Sequence, residues 1–382
     1  MMSIKHDFYK KIAGGVSIIL CIFSLIHPAT GTDKTEFQKV EQNKVPDELS
    51  TLVSATWSNY EKIKTWQGNI SSESTYFYRG KNAADMVKEQ AGIAIQDPNE
   101  LATTGKGVTQ FKIDLEKNLL FKKQNRPNPI EYIDLDTGFT CTSLDKSDER
   151  LKIIANDYEI DSSPYTRKKD GTITSWLAEK RFRNRNPAQT DFDESDPRHC
   201  FSIGKPPWVL LSMMSEGVRR YNQDPNGANG NMPNKAFSSI IVEKAQTEKG
   251  AVYRVQIKQA SFEFKYVFEE KNGFNPTHIE VKNDKGLKIS EGTTDWVKIQ
   301  DIFLPKEKQV IQYDEDDGRL RRQAKSTFSD MQVNMALPEN TFSLNNLGLK
   351  DGDEFIDKIE NKKYRYQDAN LVPIADTNNP PN

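Results

Sequence analysis

The chain has 382 residues, and its 53 basic and 55 acidic side chains give a formal net charge of -2 at pH 7. A net charge so close to zero does not indicate the basic surface that nucleic-acid binding requires, and we expect no nucleic-acid partner. A chain of this length can bury a large core, either as one domain with long insertions or as two domains.

The N-terminal segment has the order of a secretory signal. Lysines precede an apolar run from Ile12 to Ile26, and a small-residue site follows at Ala29-Thr30-Gly31. This order predicts a signal peptide over residues 1–31 that is cut after Gly31. The apolar run is shorter than the roughly 20 residues with which a helix crosses a bilayer, so a retained anchor is the alternative. We expect an exported protein, periplasmic or extracellular.

Two amphipathic helices are predicted after a polar linker over residues 32–45. The first spans Pro46 to Lys64, behind a proline suited to a first turn. Its apolar residues at helical spacing are Leu49, Val53, Trp57, Tyr60 and Ile63. The second spans Pro207 to Tyr221, with an apolar stripe at Trp208, Leu211, Met214, Val218 and Tyr221.

Most of the remaining chain alternates apolar and polar residues, which predicts strands with one apolar and one wet face. The clearest alternating residues are Phe111, Ile113 and Leu115, and later Phe262, Phe264, Tyr266 and Phe268. Asn-Gly and Asp-Gly turns between the runs indicate antiparallel hairpins of mostly sequential strands. Three regions are predicted to be loops or insertions: Asn82–Gly107, Asn184–Arg198 and Asn222–Asn234.

The triplet Asp136-Thr137-Gly138 matches the one that carries the catalytic aspartate of pepsin-like proteases. Such an enzyme needs two aspartates that share one proton, and the sequence has no second triplet. With strands predicted on both sides, the triplet is interpreted as the turn of a hairpin.

Other chemistry finds little support in the sequence. His199 and His278 lie far apart, and the calcium-like start at Asn222 lacks a bidentate glutamate at its twelfth position. We therefore expect no metal, no cofactor and no enzymatic activity. Paired carboxylates for glycoside hydrolysis stay open among the 55 acidic residues, with Glu263 between two phenylalanines as the one acid in an aromatic run.

Two smaller patterns leave alternatives open. In an exported protein, Cys141 and Cys200 can form a disulfide, or can remain two buried thiols. Arg181, Arg183 and Arg185 lie on one face if their segment is a strand. They are either an anion-binding row of guanidinium groups or an ordinary wet sheet face.

A curved sheet with one apolar face must cover that face, and the two helices are the elements available to do so. Incomplete cover leaves a pocket suited to acyl chains, whereas complete cover gives a filled core. The predicted wall consists of Phe111, Ile113, Leu115, Phe262, Phe264, Tyr266 and Phe268, with Trp57 and Trp208 on the helices that cover it.

The order of these elements resembles the LolA and LolB carriers of bacterial outer-membrane lipoproteins. The similar features are the leading helix that ends in KTWQGNI, the hairpins VTQFKIDLEKNLLFKK and IDLDTGFTCTS, the strand FKYVFEE, and NTFSLNNLGLKDGDEFID. The resemblance implies a mainly β fold, namely a curved, unclosed antiparallel half-barrel with helices on the concave face. The resemblance spans roughly Leu49 to Asp357. We predict one half-barrel domain with loop insertions over residues 46–360, followed by a terminal strand and a disordered tail over 361–382.

The chain departs from these carriers in its length, its added loops and the extra segment KKYRYQDANLVPI. The carriers use an arginine on an early concave strand, and Arg79 and Arg126 are merely nearby in this sequence. The predicted function is a non-enzymatic carrier or binding protein for a lipid, lipoprotein acyl chains or another amphipathic ligand. It includes transient contact with a membrane surface. The alternatives are a cell-envelope structural or polysaccharide-binding module and a secreted hydrolase with paired carboxylates.

Overall fold

The computed structural model describes residues 36–79, 100–126, 131–134, 140–142, 148–155, 157–167, 173–183, 198, 207–223, 239–259 and 261–374. The structure discussed here lies within the unit Phe37–Asn382. The predicted signal peptide, the Asp136-Thr137-Gly138 triplet and the C-terminal tail beyond residue 374 lie outside the described residues.

Strands make up most of the described chain. They are β1 (Gln38–Lys39), β2 (Thr65–Arg79), β3 (Glu100–Asp114), β4 (Leu119–Arg126), β5 (Glu131–Asp134), β6 (Thr140–Thr142), β7 (Asp148–Ile154), β8 (Tyr158–Arg167), β9 (Ile173–Phe182), β10 (Ser239–Thr247), β11 (Gly250–Gln259), β12 (Phe262–Glu269), β13 (Asn275–Asn283), β14 (Lys288–Ile299), β15 (Ile302–Tyr313), β16 (Leu320–Val333), β17 (Glu354–Asp357), β18 (Lys362–Gln367) and β19 (Asn370–Pro373).

Two α-helices are described, α1 (Val45–Tyr60) and α2 (Pro207–Gln223), together with short 3-10 turns at Glu270–Asn272 and Leu344–Leu347. Helix α1 begins with Pro46 in its first turn, where the missing N–H costs no hydrogen bond. Asp47 and Glu48 in the same turn carry the charge that favours a helix N-terminus. The helix ends four residues before the predicted Lys64, because the chain turns there and enters β2.

The strands form one unclosed, curved sheet with the helices on its concave face, as the sequence predicts. From one end, the pairing runs from β1 through β10, β11, β12, β13, β14, β15 and β16 to β2, β3 and β4. It continues through β7, β8, β9, β17, β18 and β19, while the hairpin of β5 and β6 branches from β3.

The sheet joins distant parts of the chain at one central point. Strand β2 pairs with β16 over a long register in which Phe328 lies opposite Ile70 and Ala324 opposite Ser74. This pairing is not sequential, and it places the start of the domain in the middle of the sheet. One pairing is parallel rather than antiparallel: β17 lies beside β9, with Phe355 opposite Ala178.

The predicted insertion Asn82–Gly107 is partly wrong, since residues 100–107 belong to β3. They pair with β2 in continuous register from Arg79–Glu100 to Ser72–Gly107. The sequence of this part, ELATTGKG, shows no apolar alternation because the residues on one of its faces are small. Pairing with a long neighbouring strand therefore determines its conformation, rather than its own propensity.

The apolar core consists of three clusters. The helix-side cluster joins Leu49 and Leu52 of α1 and Leu211 of α2 to the inward residues of β10 to β13. The central cluster joins the end of α1 and Trp208 to residues of β2, β3 and β4, with Trp66 at its centre. The outer cluster lies on the opposite face of β4 and β7, because Phe121 belongs to it whereas the adjacent Leu120 belongs to the central cluster.

The segment between β16 and β17 covers the outer cluster. Its Leu347 and Leu349 are buried in that cluster, and Ser162 of β8 donates a hydrogen bond to the Leu347 carbonyl at 2.8 Å. Asp353 then accepts a hydrogen bond from the Trp176 amide at 2.9 Å. This crossing carries the chain to β9, which explains why β17 enters the sheet parallel to its neighbour.

Candidate functional site: the concave face of the sheet

The part of the concave face beneath the helices is filled with side chains. Phe268 is 0% exposed and Tyr266 is 2% exposed, and both lie in the helix-side cluster. Burial raises the pKa of the Tyr266 hydroxyl, since the charged form would have to lie in this apolar environment. The alternation of β12 places Phe262 and Phe264 on the same face, and the four rings form a continuous series along the strand.

Helix α1 is fixed to the sheet near both of its ends. The Asn59 side chain donates to the Phe303 carbonyl at 2.9 Å and accepts from the Phe303 amide at 2.7 Å. Near the other end, Glu48 accepts a hydrogen bond from the Tyr253 hydroxyl at 2.9 Å and lies 3.4 Å from Lys244 Nζ. The helix therefore crosses from β10 and β11 to β15 at a defined angle.

The two helices also hold each other. Trp208 of α2 lies with its ring centroid 5.5 Å from that of Trp57 and 4.5 Å from that of Tyr60, both on α1. Ser50 and Ser215 are in hydrogen-bonding contact at 3.4 Å. Trp57 remains 41% exposed, whereas Trp208 is buried.

Residues directly opposite one another on neighbouring strands form register rows across the concave face. One row follows this order: Val242, Val255, Tyr266, Ile279, Gly292, Val310, Ala324, Ser74 and Gly105. The next row has the order Ile240, Ile257, Phe264, Val281, Ser290, Gln312, Arg322, Tyr76 and Thr103. In both rows the uninterrupted run of bulky apolar side chains ends at β13, and only Val310 and Tyr76 follow it among smaller or polar residues.

Beyond β13 the same face carries small residues, and we call this the small-residue region. It consists of Ser290 and Gly292 of β14, Val310 of β15, Ala324 and Ser326 of β16, Ser72 and Ser74 of β2, and Gly105 and Gly107 of β3. None of these residues belongs to the three core clusters of the described chain. A Cβ built on Gly105 would meet no heavy atom within 4 Å, so there is open space at this position, although Thr103 and Gly107 on the same face of β3 are buried.

Two polar groups face the same region one row closer to the helices. Thr294 lies opposite Lys308, which lies opposite Ser326. The Thr294 side chain is 2% exposed, and its hydroxyl has no hydrogen-bond partner among the residues that the structure describes. Lys308 Nζ lies 5.0 Å from the centroid of the Phe328 ring, within the range of a cation–π contact.

A cation and an aromatic ring lie at the far side of the region. The Arg322 guanidinium carbon is 5.0 Å from the centroid of the Tyr76 ring, and Tyr76 is 38% exposed. Tyr76 in turn stacks with Tyr78 at 6.3 Å. The concave face thus combines a bulky apolar wall, a region with small side chains, and a polar, aromatic edge.

The predicted wall residues divide between filled core and accessible surface. Phe111, Ile113, Tyr266, Phe268 and Trp208 lie in packed clusters. Leu115 lies just past β3 and is half-buried against the central cluster, and Phe264 is half-buried against the helix-side cluster. Phe262 at the free end of β12 is 36% exposed. Among the predicted site residues, Leu115, Phe264, Phe262 and the 41% exposed Trp57 therefore keep accessible surface.

The predicted anion-binding arginines have partners of their own. Arg181 donates to Glu159 and lies 3.9 Å from Asp161, and the Arg183 guanidinium donates to the Ala155 carbonyl at 3.0 Å. Arg185 and Cys200 lie outside the described residues, and the structure describes only the backbone of Cys141, in β6. The binding role of the three arginines and the disulfide therefore stay predictions.

Sequence reasoning missed the small-residue region and Arg322. Gly105 and Gly107 fall in a segment that was predicted to be an insertion, and the serines of β2 gave no apolar alternation. Their register with Ala324 and Val310 shows the shared face, but that register joins residues some 200 to 250 positions apart in the chain. A serine-rich strand directly after KTWQGNI was the one signal available.

The carboxyl groups of Glu263, Glu280 and Glu291 lie on the convex face and are engaged by neighbouring side chains. Glu263 accepts a hydrogen bond from Gln256 at 2.9 Å, on the face opposite the helices. Glu291 and Glu280 are near each other on that same convex face. Burial acts to raise the pKa of Glu291, but hydrogen bonds from Lys288 and Tyr313 outweigh it and leave the pKa lowered. A general acid needs the opposite shift, a raised pKa.

The described residues provide neither a metal-ligand cluster nor a membrane-spanning helix. No group of three or more histidine, cysteine, aspartate or glutamate side chains is arranged to hold a metal ion within those residues. Neither described helix combines the length and the apolar character that crossing a membrane requires.

Comparison with known proteins shows similarity only at the level of structure. No family model matches the sequence, and no curated protein matches it. A domain described as an outer membrane lipoprotein-sorting protein from Vibrio parahaemolyticus is 8% identical, with 78% of this chain and 99% of that chain covered and a TM-score of 0.33. A LolA superfamily protein from Nitrosomonas europaea is 8% identical, with coverage of 78% and 99% and a TM-score of 0.31.

A DUF1329 family protein from Desulfovibrio piger is 9% identical, with coverage of 78% and 98% and a TM-score of 0.29. The LolA superfamily, which the sequence resembles, is thus among the structures to which this chain is similar. TM-scores this low give no information about a ligand of this chain.

Proposed function

We propose that the protein is an exported, non-enzymatic binding protein or carrier for an amphipathic ligand, such as a lipid or the acyl chains of a lipoprotein. The observation that carries this proposal is the change within each register row. Beyond the bulky apolar side chains of β10 to β13, the first row carries mostly small side chains, with Val310 as the exception, and the second carries the polar Ser290, Gln312 and Arg322 before Tyr76.

An acyl chain laid along such a row contacts the half-buried Phe264 on one side and lies over the small residues on the other. Each Å² of apolar surface removed from water stabilises the complex by about 25 cal/mol. The half-buried Phe264 and the exposed Phe262 extend this wall to the free end of β12.

The test begins with protein purified under native conditions from its own cell envelope. Native mass spectrometry is expected to show an added mass that extraction with organic solvent removes and identifies as lipid. The extracted protein is then titrated with palmitate, and saturable binding is expected. Protein that is repeatedly empty and also fails to bind palmitate, a monoacylglycerol and a lysophospholipid would sink the proposal.

The stacked pair of Tyr76 and Tyr78 favours a second candidate, a polysaccharide-binding module of the cell envelope. Sugar rings stack on exposed aromatic faces, and Gln312 and Arg322 in the same row supply polar groups. Titration with cell-wall oligosaccharides separates the two candidates. Binding of oligosaccharides that the change Tyr76→Ala abolishes, without any binding of acyl chains, would favour the second.

A further inference from the structure

Arg322 lies on the concave face, and no carboxylate of the described residues forms an ion pair with it. Its register partners are Gln312 on β15 and Tyr76 on β2, and its guanidinium stacks on the Tyr76 ring at 5.0 Å. The Nε–H group is shielded from solvent and has no hydrogen-bond acceptor among the described residues. A shielded donor of a permanently charged group gains from any acceptor that approaches it.

Other arginines of the described chain contrast with this one. Arg181 is paired with Glu159, Arg219 with Glu216, and Arg319 with Asp317. The concave-face residues that border Arg322 on its own and adjacent strands are uncharged: Ser74, Tyr76, Val310, Gln312 and Ala324. The described strands therefore present a guanidinium to the concave face and place no carboxylate beside it on that face.

The position of Arg322 relative to the apolar wall is set by the register. Phe264, Val281, Ser290, Gln312 and Arg322 follow one another on β12, β13, β14, β15 and β16. Four strand spacings separate Phe264 from Arg322, which is about 19 Å along the sheet. A ligand lying along this row has an apolar contact at one end and a cation at the other.

We propose that Arg322 binds the anionic head group, a phosphate or a carboxylate, of the amphiphile whose acyl chain lies toward Phe264. This inference rests on the proposed function and narrows its ligand class to anionic amphiphiles. The planar guanidinium can donate two parallel hydrogen bonds to either group, while Tyr76 holds the plane of the guanidinium in place. Gln312, on the adjacent strand, is a second donor for the same head group.

The test uses the full chain after lipid extraction and three ligands with the same sixteen-carbon chain. They are palmitate, a monoacyl glycerol phosphate and the neutral monoacylglycerol, each titrated calorimetrically below its micelle concentration. We expect both anionic ligands, or one of them, to bind at least about tenfold more tightly than the neutral one. The stronger of the two anionic ligands identifies whether a carboxylate or a phosphate is preferred.

Variants then assign the preference to this residue. R322Q is expected to weaken anionic binding by about tenfold to a hundredfold and to leave neutral binding unchanged. R322K, which keeps the charge but not the forked donors, is expected to lie between. The matched control is R321Q, the same change at the adjacent exposed arginine, which should bind all three ligands like the unmodified protein. Urea unfolding midpoints verify that each variant is folded, and R322K carries the test if R322Q is not.

The outcomes separate this inference from the proposed function. Equal affinity for all three ligands, or an anionic preference that R322Q and R322K leave intact, overturns the role of Arg322 and leaves the acyl-binding proposal standing. Failure of the unmodified protein to bind any of the three ligands overturns both. A loss of anionic binding that R321Q reproduces equally shows a general charge effect and also overturns the assignment.

Discussion

Two regions of the concave face share one backbone architecture and differ in the volume of their side chains. On β10 to β13 the face carries residues such as Tyr266 and Ile279, which are buried under the two helices. On β14, β15, β16, β2 and β3 the same rows carry residues such as Gly292, Ala324 and Gly105. Hydrogen bonding between the strands is continuous across the boundary.

The two regions correspond to two requirements of the proposed function, a stable fold and space for a ligand. Burial of large side chains under α1 and α2 stabilises the fold, since each buried aromatic or aliphatic side chain contributes about 1.5 to 3 kcal/mol. Small side chains contribute little to stability but leave space next to a wall of larger ones. Changes in the first region should therefore affect the free energy of unfolding, and changes in the second should affect ligand affinity.

The largest expected effect is on stability. Phe268→Ala removes a fully buried ring and should lower the free energy of unfolding by about 3 to 5 kcal/mol. Phe262→Ala is the matched control, because this residue lies on the same strand and face but is 36% exposed. Its effect should be about 1 kcal/mol or less. Urea unfolding followed by tryptophan fluorescence measures both losses. Equal losses would contradict the distinction between the buried ring of Phe268 and the exposed ring of Phe262.

A second change tests how α1 is held over the helix-side region. Asn59→Ala leaves both polar groups of the Phe303 backbone without their side-chain partner, which should cost about 1 to 3 kcal/mol. Ser54→Ala, on the exposed face of the same helix, should cost less than about 0.5 kcal/mol.

Hydrogen exchange provides the local readout for this pair. The Phe303 amide should exchange faster in the Asn59 variant, because its acceptor is gone, while amides within β10 to β13 keep their protection. Unchanged exchange at Phe303 would mean that the helix position does not depend on this side-chain bridge.

The third change fills the small-residue region. Gly105→Ile places a bulky side chain where the structure has free space, so stability should stay within about 0.5 kcal/mol of the unmodified protein. The same side chain occupies room that an acyl chain would use. An overpacking cost of about 1 to 3 kcal/mol corresponds to a loss of palmitate affinity of about fivefold to 150-fold.

The control for this change lies one residue away on the opposite face. Thr104 faces Thr75 across the convex side, so Thr104→Ile places the same isoleucine side chain on β3 without approaching the concave face. Calorimetric titration with palmitate compares the two variants. If both bind as tightly as the unmodified protein, the space above Gly105 is not part of a binding site.

The fold was largely predictable from the sequence because its signals are local. Alternation in FEFKYVF predicts a strand with an aromatic face, and the turn at Asn272-Gly273 uses a glycine whose φ of 65° suits the left-handed region. The stripe behind Pro207 likewise predicts α2 to within two residues.

The small-residue region was not predictable in the same way. Gly105 and Ser74 have low strand propensity, and their shared face depends on β2 pairing with β16, more than 200 residues later. Alternation of apolar and polar residues predicts where bulky side chains lie. It cannot predict a surface formed by small side chains, because these give no alternating pattern. Arg322 was missed for the same reason, since its meaning comes from Tyr76 and from the uncharged residues around it.

The smallest expected effect concerns His278 on the convex face of β13. We predict that this face contributes to stability and not to ligand binding. Burial lowers the pKa of His278 from 6.5, and the carboxylates of Glu291 and Glu280 only partly oppose that shift. The folded state therefore binds this proton less readily than the unfolded state. Stability should be complete above pH 6.5 and should decline as the pH falls from there toward 5.

The change His278→Gln should flatten that decline by less than about 1 kcal/mol, since the ring is only half-buried and its charge is screened. Urea midpoints at pH 7.5 and 5 measure the slope, and Glu291 and Glu280 remain ionised over this interval because their pKa values are lowered. Palmitate affinity should be the same in both proteins at pH 7.5, because His278 lies on the face opposite the helices. A variant that lost palmitate affinity at pH 7.5 would show that the two faces of β13 are coupled. Residues on the convex face would then also contribute to binding.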